Sequence, residues 1–380
     1  MPEPKSAAGG TDGNAGDPYR VMVVDDSAVI RGLLTRALEK DPTIKVAASV
    51  GNGEAAIKAL ERHDIDVVIL DIEMPVMDGL TALPKLLAAK PGIRIIMAST
   101  LTRKNAEVSL RALQAGAADY LPKPTSTSEL TGADAFRREL LEKVKALAKA
   151  ARPARPATSR AVGQAAAIGA VVRPPARTIS LRKASAALPR IIAIGSSTGG
   201  PQALLEVLRD MAASVKLPIL ITQHMPATFT TLLAEHIERA TGVPCAEGRD
   251  GEAVSAGRIY LAPGNYHMTV ERAAVGSVIR LNQDQPENFC RPSVDPMLRS
   301  LAPIYGSALL TLILTGMGSD GQKGAAEVVA AGGTVIAQDE ATSVVWGMPG
   351  AVATSGLCSA VLPIKEIGPS VRKLVMRSAA

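Results

Sequence analysis

From Tyr19 onward the chain alternates short apolar runs with stretches that place apolar residues every three or four positions. The runs Arg20–Val24, Lys45–Val50, Asp66–Leu70, Arg94–Ala98 and Asp119–Leu121 are short and rich in Val, Ile and Leu, as strands buried on both faces are. Between them, helical periodicity predicts helices around Ala28–Leu38, Glu54–Leu60, Leu80–Ala89 and Ala106–Ala115, and a closing helix over about Ser128–Ala150. Strict alternation of strand and helix predicts a parallel, doubly wound α/β sheet over residues 18–140. Residues 1–17 carry no periodicity and are expected to be a disordered tail.

The alternation resumes further along. Strands are predicted at 190–194, 218–223, 258–262, 276–281, 308–315, 334–338 and 358–362, and helices at 201–211, 228–240, 294–304, 321–331 and 366–378. Residues 189–380 therefore read as a second doubly wound α/β domain, with a β-rich excursion around Cys245–Leu281. The two halves share an architecture but no sequence repeat. Residues 141–188 hold the end of the first domain's last helix and then an Ala/Pro/Arg-rich segment, too poor in apolar surface to fold alone and expected to be a flexible linker.

Charge changes this picture little. The formal net charge is +6, but residues 151–190 alone carry +8 with no acidic residue, which leaves about −2 for everything else. The basic character belongs to the linker and not to a folded face. Aromatic residues are only 2% of the chain, too few to stack on bases, and no helix-turn-helix is discernible, so nucleic acid is not expected as a partner. No apolar run spans a bilayer and no secretory signal pattern opens the sequence, so a soluble, cytoplasmic protein without membrane insertion is expected. Cys245, Cys290 and Cys358 are odd in number and widely spaced, which predicts buried reduced thiols.

In a parallel sheet every strand ends on one edge, and ligands bind there. In the first domain those ends bring Asp25 and Asp26 after strand one, Asp71 after strand three, Ser99 after strand four and Lys123 after strand five. Three converging carboxylates repel one another unless a hard divalent cation sits among them, and magnesium fits that donor set. The lysine and serine could answer an added anionic group.

In the second domain, Arg190–Met211 reads as strand, glycine-bracketed turn and helix, with Pro201 in the first helical turn. Gly195–Gly199 matches a Gly-x-Ser-x-Gly nucleophile elbow around Ser197. The competing reading is a glycine-rich turn that holds a phosphate or nothing. A Walker lysine is absent, however, and the glycine register does not fit a dinucleotide site. Two further residues tilt the choice. His224 ends the run ILITQH, and Asp320 follows the long strand of LTLILTGMGSDG, so Ser197, His224 and Asp320 share one sheet edge. A serine hydroxyl attacks a carbonyl only when a base takes its proton and a carboxylate orients that base, so this set suits acyl transfer. Backbone N–H groups of the Met317–Gly318 turn, or of the helix after Gly200, could receive the oxyanion. The order Ser, His, Asp is not that of the α/β-hydrolases. Among the other histidines, His63 lies at a helix end, His236 reads as solvated on a helix face, and His267 remains a possible site residue.

The motifs VVDDS, LDIEMPVMDG, MAST and DYLPKP resemble the response-regulator receiver domain over about residues 18–140. That resemblance implies a flavodoxin-like fold and phosphoryl transfer to Asp71 from a chemotaxis histidine kinase. It further implies Mg2+ held by Asp26, Asp71 and the Glu73 backbone carbonyl, with Asp25 helping through water; Lys123 on the phosphoryl oxygens; and Ser99 with Tyr120 as a switch pair. IGSSTGGPQAL, ITQHMP, YLAPGNYHM, RPSVDPML, LTGMGSDG and QDEATSVVWGMP are similar to the catalytic domain of chemotaxis receptor-glutamate methylesterases of the CheB kind, over about residues 188–378. This second resemblance implies a Rossmann-like fold and a cofactor-free esterase acting on methyl-accepting chemoreceptors, with deamidation of receptor glutamines as a sister reaction. It implies Ser197 as nucleophile, His224 as base and then acid, Asp320 as the orienting acid, Thr198 as support for the imidazole and the Met317 N–H as an oxyanion donor. Two rivals stay open at this stage: a non-enzymatic response regulator whose second domain is a binding module, and a hydrolase of another ester.

Overall fold

The computed structural model describes residues 17–100, 102–123, 134–152, 179–212 and 214–376. Residues 1–16 of the expected tail at 1–17, and most of the expected linker, lie outside these residues.

The first domain is a five-stranded parallel sheet. Its strands are β1 (Tyr19–Val24), β2 (Ile44–Val50), β3 (Val67–Asp71), β4 (Arg94–Ser99) and β5 (Asp119–Pro122), in the order β2-β1-β3-β4-β5. Helices α1 (Ala28–Leu38), α2 (Gly53–Leu60), α3 (Gly79–Ala89), α4 (Arg103–Gln114) and α5 (Asp134–Ala151) cover its faces. Local chemistry starts these helices where the sequence places them. Ser27, Asn52, Asp78 and Thr102 each accept a hydrogen bond from a first-turn amide of the helix that follows. All five residues of β3 are buried, and its carboxyl end delivers Asp71 after four apolar residues.

The second domain contains a seven-stranded parallel sheet ordered β14-β13-β12-β6-β7-β9-β8, and a separate antiparallel hairpin. The sheet strands are β6 (Ile191–Ser196), β7 (Ile219–Gln223), β8 (Cys245–Glu247), β9 (Ile259–Leu261), β12 (Leu309–Ile313), β13 (Thr334–Gln338) and β14 (Ala360–Leu362); β10 (His267–Arg272) and β11 (Ser277–Asn282) form the hairpin. The helices are α6 (Gly200–Ala212), α7 (Ala227–Thr241), α8 (Val294–Tyr305), α9 (Gln322–Ala330), α10 (Met348–Thr354) and α11 (Ile364–Val375). From β6 the chain builds outward through β7 on one side, then returns to β12 on the other. The boundary between β6 and β12 is thus where strand order reverses, the place at which open α/β sheets bind ligands.

The structure departs from the sequence reading in three local ways. The β-rich excursion resolves into β8, β9 and the β10–β11 hairpin. Helix α10 was not foreseen, because seven residues carry too few turns for a periodic signal. The last part of the expected linker is also ordered onto the second domain. There the Arg182 amide donates to the Cys358 carbonyl at 2.8 Å, and the Ser185 amide donates to Thr334 Oγ1 at 2.9 Å.

Candidate active site

Ser197 sits in the tight connection between β6 and α6. Its amide donates to the Thr315 carbonyl at 3.0 Å, and its carbonyl accepts from the Gly200 amide at 2.8 Å. Gly199 has φ +77°, and a Cβ there would come within 2.5 Å of Val344, so the turn requires glycine twice over. Gly316, on the facing strand end, leaves room for Ser197 itself, since a Cβ at 316 would approach the Ser197 Cβ to 2.9 Å. Gln223, which the sequence reading passed over, ties this turn to the next strand. Its Nε2 donates to the carbonyls of Ser197 at 2.9 Å and His224 at 3.2 Å, while its Oε1 accepts from Ser196 Oγ at 2.7 Å. Its place directly before His224 in ITQHMP was the available signal.

The sheet brings His224 and Asp320 into direct contact. His224 Nε2 donates to Asp320 Oδ2 at 2.7 Å. A carboxylate only accepts, so this bond fixes the proton on Nε2 and leaves Nδ1 as the basic nitrogen. Asp320 is buried and heavily solvated by protein. Oδ2 also accepts from the Val294 amide, and Oδ1 accepts from the Asp295 and Gly321 amides, Ser293 Oγ and Asn288 Nδ2. Two of these amides open α8, where the helix terminus favours an anion. Burial opposes the Asp320 charge, but His224 and these donors hold its carboxyl down at about 2. Burial likewise opposes a charged His224, yet the Cys290 sulfur and Asp320 lift its imidazolium above the usual histidine range.

Ser197 and His224 line one cleft of about 690 Å³, with Met317, Asp320 and Cys290. Among the described residues, the partner of His224 Nδ1 is Cys290 Sγ at 3.4 Å and not the Ser197 hydroxyl. Cys290 is therefore a partly exposed thiol inside the site, whereas Cys245 and Cys358 are buried as expected. His267 does not reach the cleft. It is buried, takes the Ser293 amide on Nδ1 and meets the Gln285 carbonyl through Nε2.

The receiver-like domain closes the other wall of the cleft. Asp119, Tyr120, Arg138, Glu139 and Lys143 line it opposite Ser197. Thr198, expected beside the imidazole, donates its hydroxyl across the boundary to Asp119 Oδ2 at 2.6 Å. Lys143 Nζ lies 3.4 Å from the same Asp119 oxygen and 3.0 Å from Glu139 Oε1, and these two carboxylates outweigh the burial that opposes its charge. The Tyr120 ring stacks on Phe229 of α7 with centroids 4.2 Å apart, and burial pushes its hydroxyl well above the usual tyrosine range. Gln202 Nε2 reaches the Ala117 carbonyl at 3.2 Å. His236 is not a solvated helix residue: it is buried against this boundary, with Nδ1 at 3.3 Å from Gln114 Nε2. No periodicity within α7 could reveal that, because the covering surface belongs to the other domain.

The first domain's own edge assembles as its strand ends imply. Asp25, Asp26 and Asp71 bring carboxylate oxygens within 4.8 Å of one another. Lys123 Nζ sits 2.5 Å from Asp25 and 2.6 Å from Asp71. Burial pushes the Asp71 carboxyl up, with Lys123 pulling the other way. Glu73 is exposed beside this pocket and pairs with Lys104 at 3.3 Å. Ser99 is buried, with Oγ 3.0 Å from Ser109 Oγ. Two buried acids and an exposed third, with a lysine at hand, match the donor chemistry of a magnesium site.

Comparison with known proteins agrees with both halves. The families described as "CheB methylesterase" and "Response regulator receiver domain" match residues 192–371 and 21–133. A protein-glutamate methylesterase/protein-glutamine glutaminase of Azospirillum brasilense is 60% identical over 392 aligned positions, covering 100% of this chain and 98% of the relative. One from Rhodospirillum centenum is 61% identical, covering 96% of each. Among solved structures, the Thermotoga maritima CheB methylesterase catalytic domain is 39% identical, with a TM-score of 0.48, covering 50% of this chain and all of that one. With two domains matched in order and such identity along its whole length, the chain belongs to the family of CheB-type protein-glutamate methylesterases/protein-glutamine glutaminases that carry a receiver domain.

Proposed function

We propose that this enzyme hydrolyses glutamate γ-methyl esters on methyl-accepting chemoreceptors through Ser197, and deamidates receptor glutamines at the same site. The observation that carries the reading is the buried His224–Asp320 pair, set beside Ser197 at the point where strand order reverses. His224 Nδ1, exchanging its Cys290 contact for the Ser197 hydroxyl, takes the Ser197 proton as Oγ attacks the ester carbonyl, and the imidazolium then protonates the leaving methoxide. Methanol departs. Water, activated by the same imidazole, cleaves the acyl-enzyme and frees the carboxylate and Ser197. For glutamine only the leaving group differs, ammonia replacing methanol. The Met317 N–H is the proposed oxyanion donor, and Thr198 would support the imidazole once its hydroxyl leaves Asp119. No cofactor is invoked for this chemistry.

Asp71 is the proposed phosphoryl acceptor, with a chemotaxis histidine kinase as donor and a cytoplasmic setting. Asp25, Asp26, Asp71 and the Glu73 carbonyl would hold magnesium, which offsets phosphoryl charge when bound. Lys123 would pair with the phosphoryl oxygens, while Ser99 and Tyr120 respond to them. Tyr120 is at once a switch residue and the ring stacked on Phe229, so a movement of Tyr120 loosens the domain boundary and uncovers Ser197. Stacking of this kind contributes about 1 kcal/mol, so its loss alone shifts closed to open by roughly fivefold.

Two measurements test the reading. A fluorophosphonate probe should place its adduct on the peptide that contains Ser197; hydrolytic activity with an adduct elsewhere would refute the assignment. A small-molecule phosphodonor with magnesium should raise methanol release from methylated receptor at least about fivefold, and Asp71→Asn should remove that rise while keeping the basal rate. An equal rise in both proteins would dismiss Asp71 as the switch.

A further inference from the structure

The turn Asn288–Phe289–Cys290 grips both ends of the His–Asp pair. At one end Cys290 Sγ meets His224 Nδ1 at 3.4 Å, and at the other Asn288 Nδ2 donates to Asp320 Oδ1 at 2.9 Å. The same Nδ2 donates to Asp295 Oδ2 at 3.0 Å. Asp295 is as deeply buried as Asp320, and its only other hydrogen-bond donor among the described residues is the Gly324 amide, at 2.7 Å. Two buried carboxylates side by side repel one another, and the weaker-solvated one is driven toward its neutral form. Burial does push Asp295 upward, with Asp320 adding to the effect.

We propose that Asn288 is a positioning residue for the esterase reaction: its single uncharged amide bridges Asp320 and Asp295, and so fixes the carboxylate that orients His224. An amide is the side chain this place calls for. It carries two N–H bonds, one for each carboxylate, and it brings no charge of its own. A carboxylate there would be a third acid in the cluster and would leave the Asp295 side chain with the Gly324 amide as its donor, and a hydroxyl could serve only one partner. Asparagine also tolerates the left-handed backbone of the turn, φ +52° at Asn288 and +63° at Phe289. That second property supplies the rival explanation: Asn288 could be kept for its backbone alone.

Glycine and aspartate separate the two, because both accept a positive φ and neither carries the amide's pair of N–H donors. The inference rests on the reading of Ser197, His224 and Asp320 given above. Methanol release is measured on full-length Asn288→Gly and Asn288→Asp with phosphodonor and magnesium, against methylated receptor and alongside Ser197→Ala. Expected is a fall in kcat of about tenfold or more for glycine, a deeper fall for aspartate, and KM within about twofold of wild type for both. A kcat for glycine within twofold of wild type overturns the proposal, and so does a loss that enters through KM. Should glycine unfold the domain, aspartate, which keeps side-chain volume and backbone preference, decides by the same criteria. Retained activity in Ser197→Ala would instead bring down the nucleophile assignment, an outcome the Asn288 variants cannot imitate.

Discussion

Ser197→Ala should lower kcat for methyl-ester hydrolysis by about a thousandfold or more, with little change in fold stability. The substitution removes one oxygen and keeps the Cβ that Gly316 accommodates, so the turn from β6 into α6 is undisturbed. Among the described residues none hydrogen-bonds the hydroxyl: Ser197 is held by its amide to Thr315 and by its carbonyl to Gly200 and Gln223. Ester hydrolysis and glutamine deamidation should fall together, because both pass through the same acyl-enzyme. Methanol and ammonia release on the same protein preparation measures this. A variant that loses methanol release but still liberates ammonia would require a second site. A loss below tenfold in both would mean that Ser197 is not the nucleophile.

The site was readable from sequence because a parallel sheet converts linear position into spatial position. Ser197, His224 and Asp320 lie 27 and 96 residues apart, yet each follows a buried strand, and buried strands announce themselves as short β-branched runs. The acid cluster of Asp25, Asp26 and Asp71 was legible for the same reason. What was not legible depends on contacts between elements that share no period. The hydrogen bond from Thr198 to Asp119, and the burial of His236 against Gln114, exist only because one domain is docked on the other. Asn288 and Cys290 lie on an irregular turn, where neither helical nor strand periodicity says which way a side chain points. Gln223 was nearer to view, since it is the residue before His224 on a strand end. Alternation then directs it toward the opposite side, into the β6–α6 turn.

Asp320→Asn should cost about ten-thousandfold in kcat, more than the loss of a single hydrogen bond would. The reason is polarity. Asp320 Oδ2 receives the proton on His224 Nε2, so Nδ1 is left free to act as base. An asparagine can turn its NH2 group to that nitrogen, which then has to accept, and the ring proton moves to Nδ1, where it blocks attack. The pH profile carries a second signature. His224 must be neutral to take the Ser197 proton, and Asp320 is one of the groups that lift its imidazolium above the usual histidine range. Without the carboxylate charge the imidazolium loses its proton at lower pH, so the acidic limb of kcat moves downward even as the plateau collapses. Stability behaves in the opposite sense. The Asp320 carboxyl is held at about 2 against a usual 3.8, so its contribution is present above that range and fades as pH falls through it. The asparagine variant should lack that acid-dependent portion. Phosphorylation at Asp71 should proceed normally in Asp320→Asn, which reports an intact receiver domain. If kcat falls only a few-fold and the acidic limb stays in place, Asp320 does no more than anchor the start of α8, and some other group must orient the histidine.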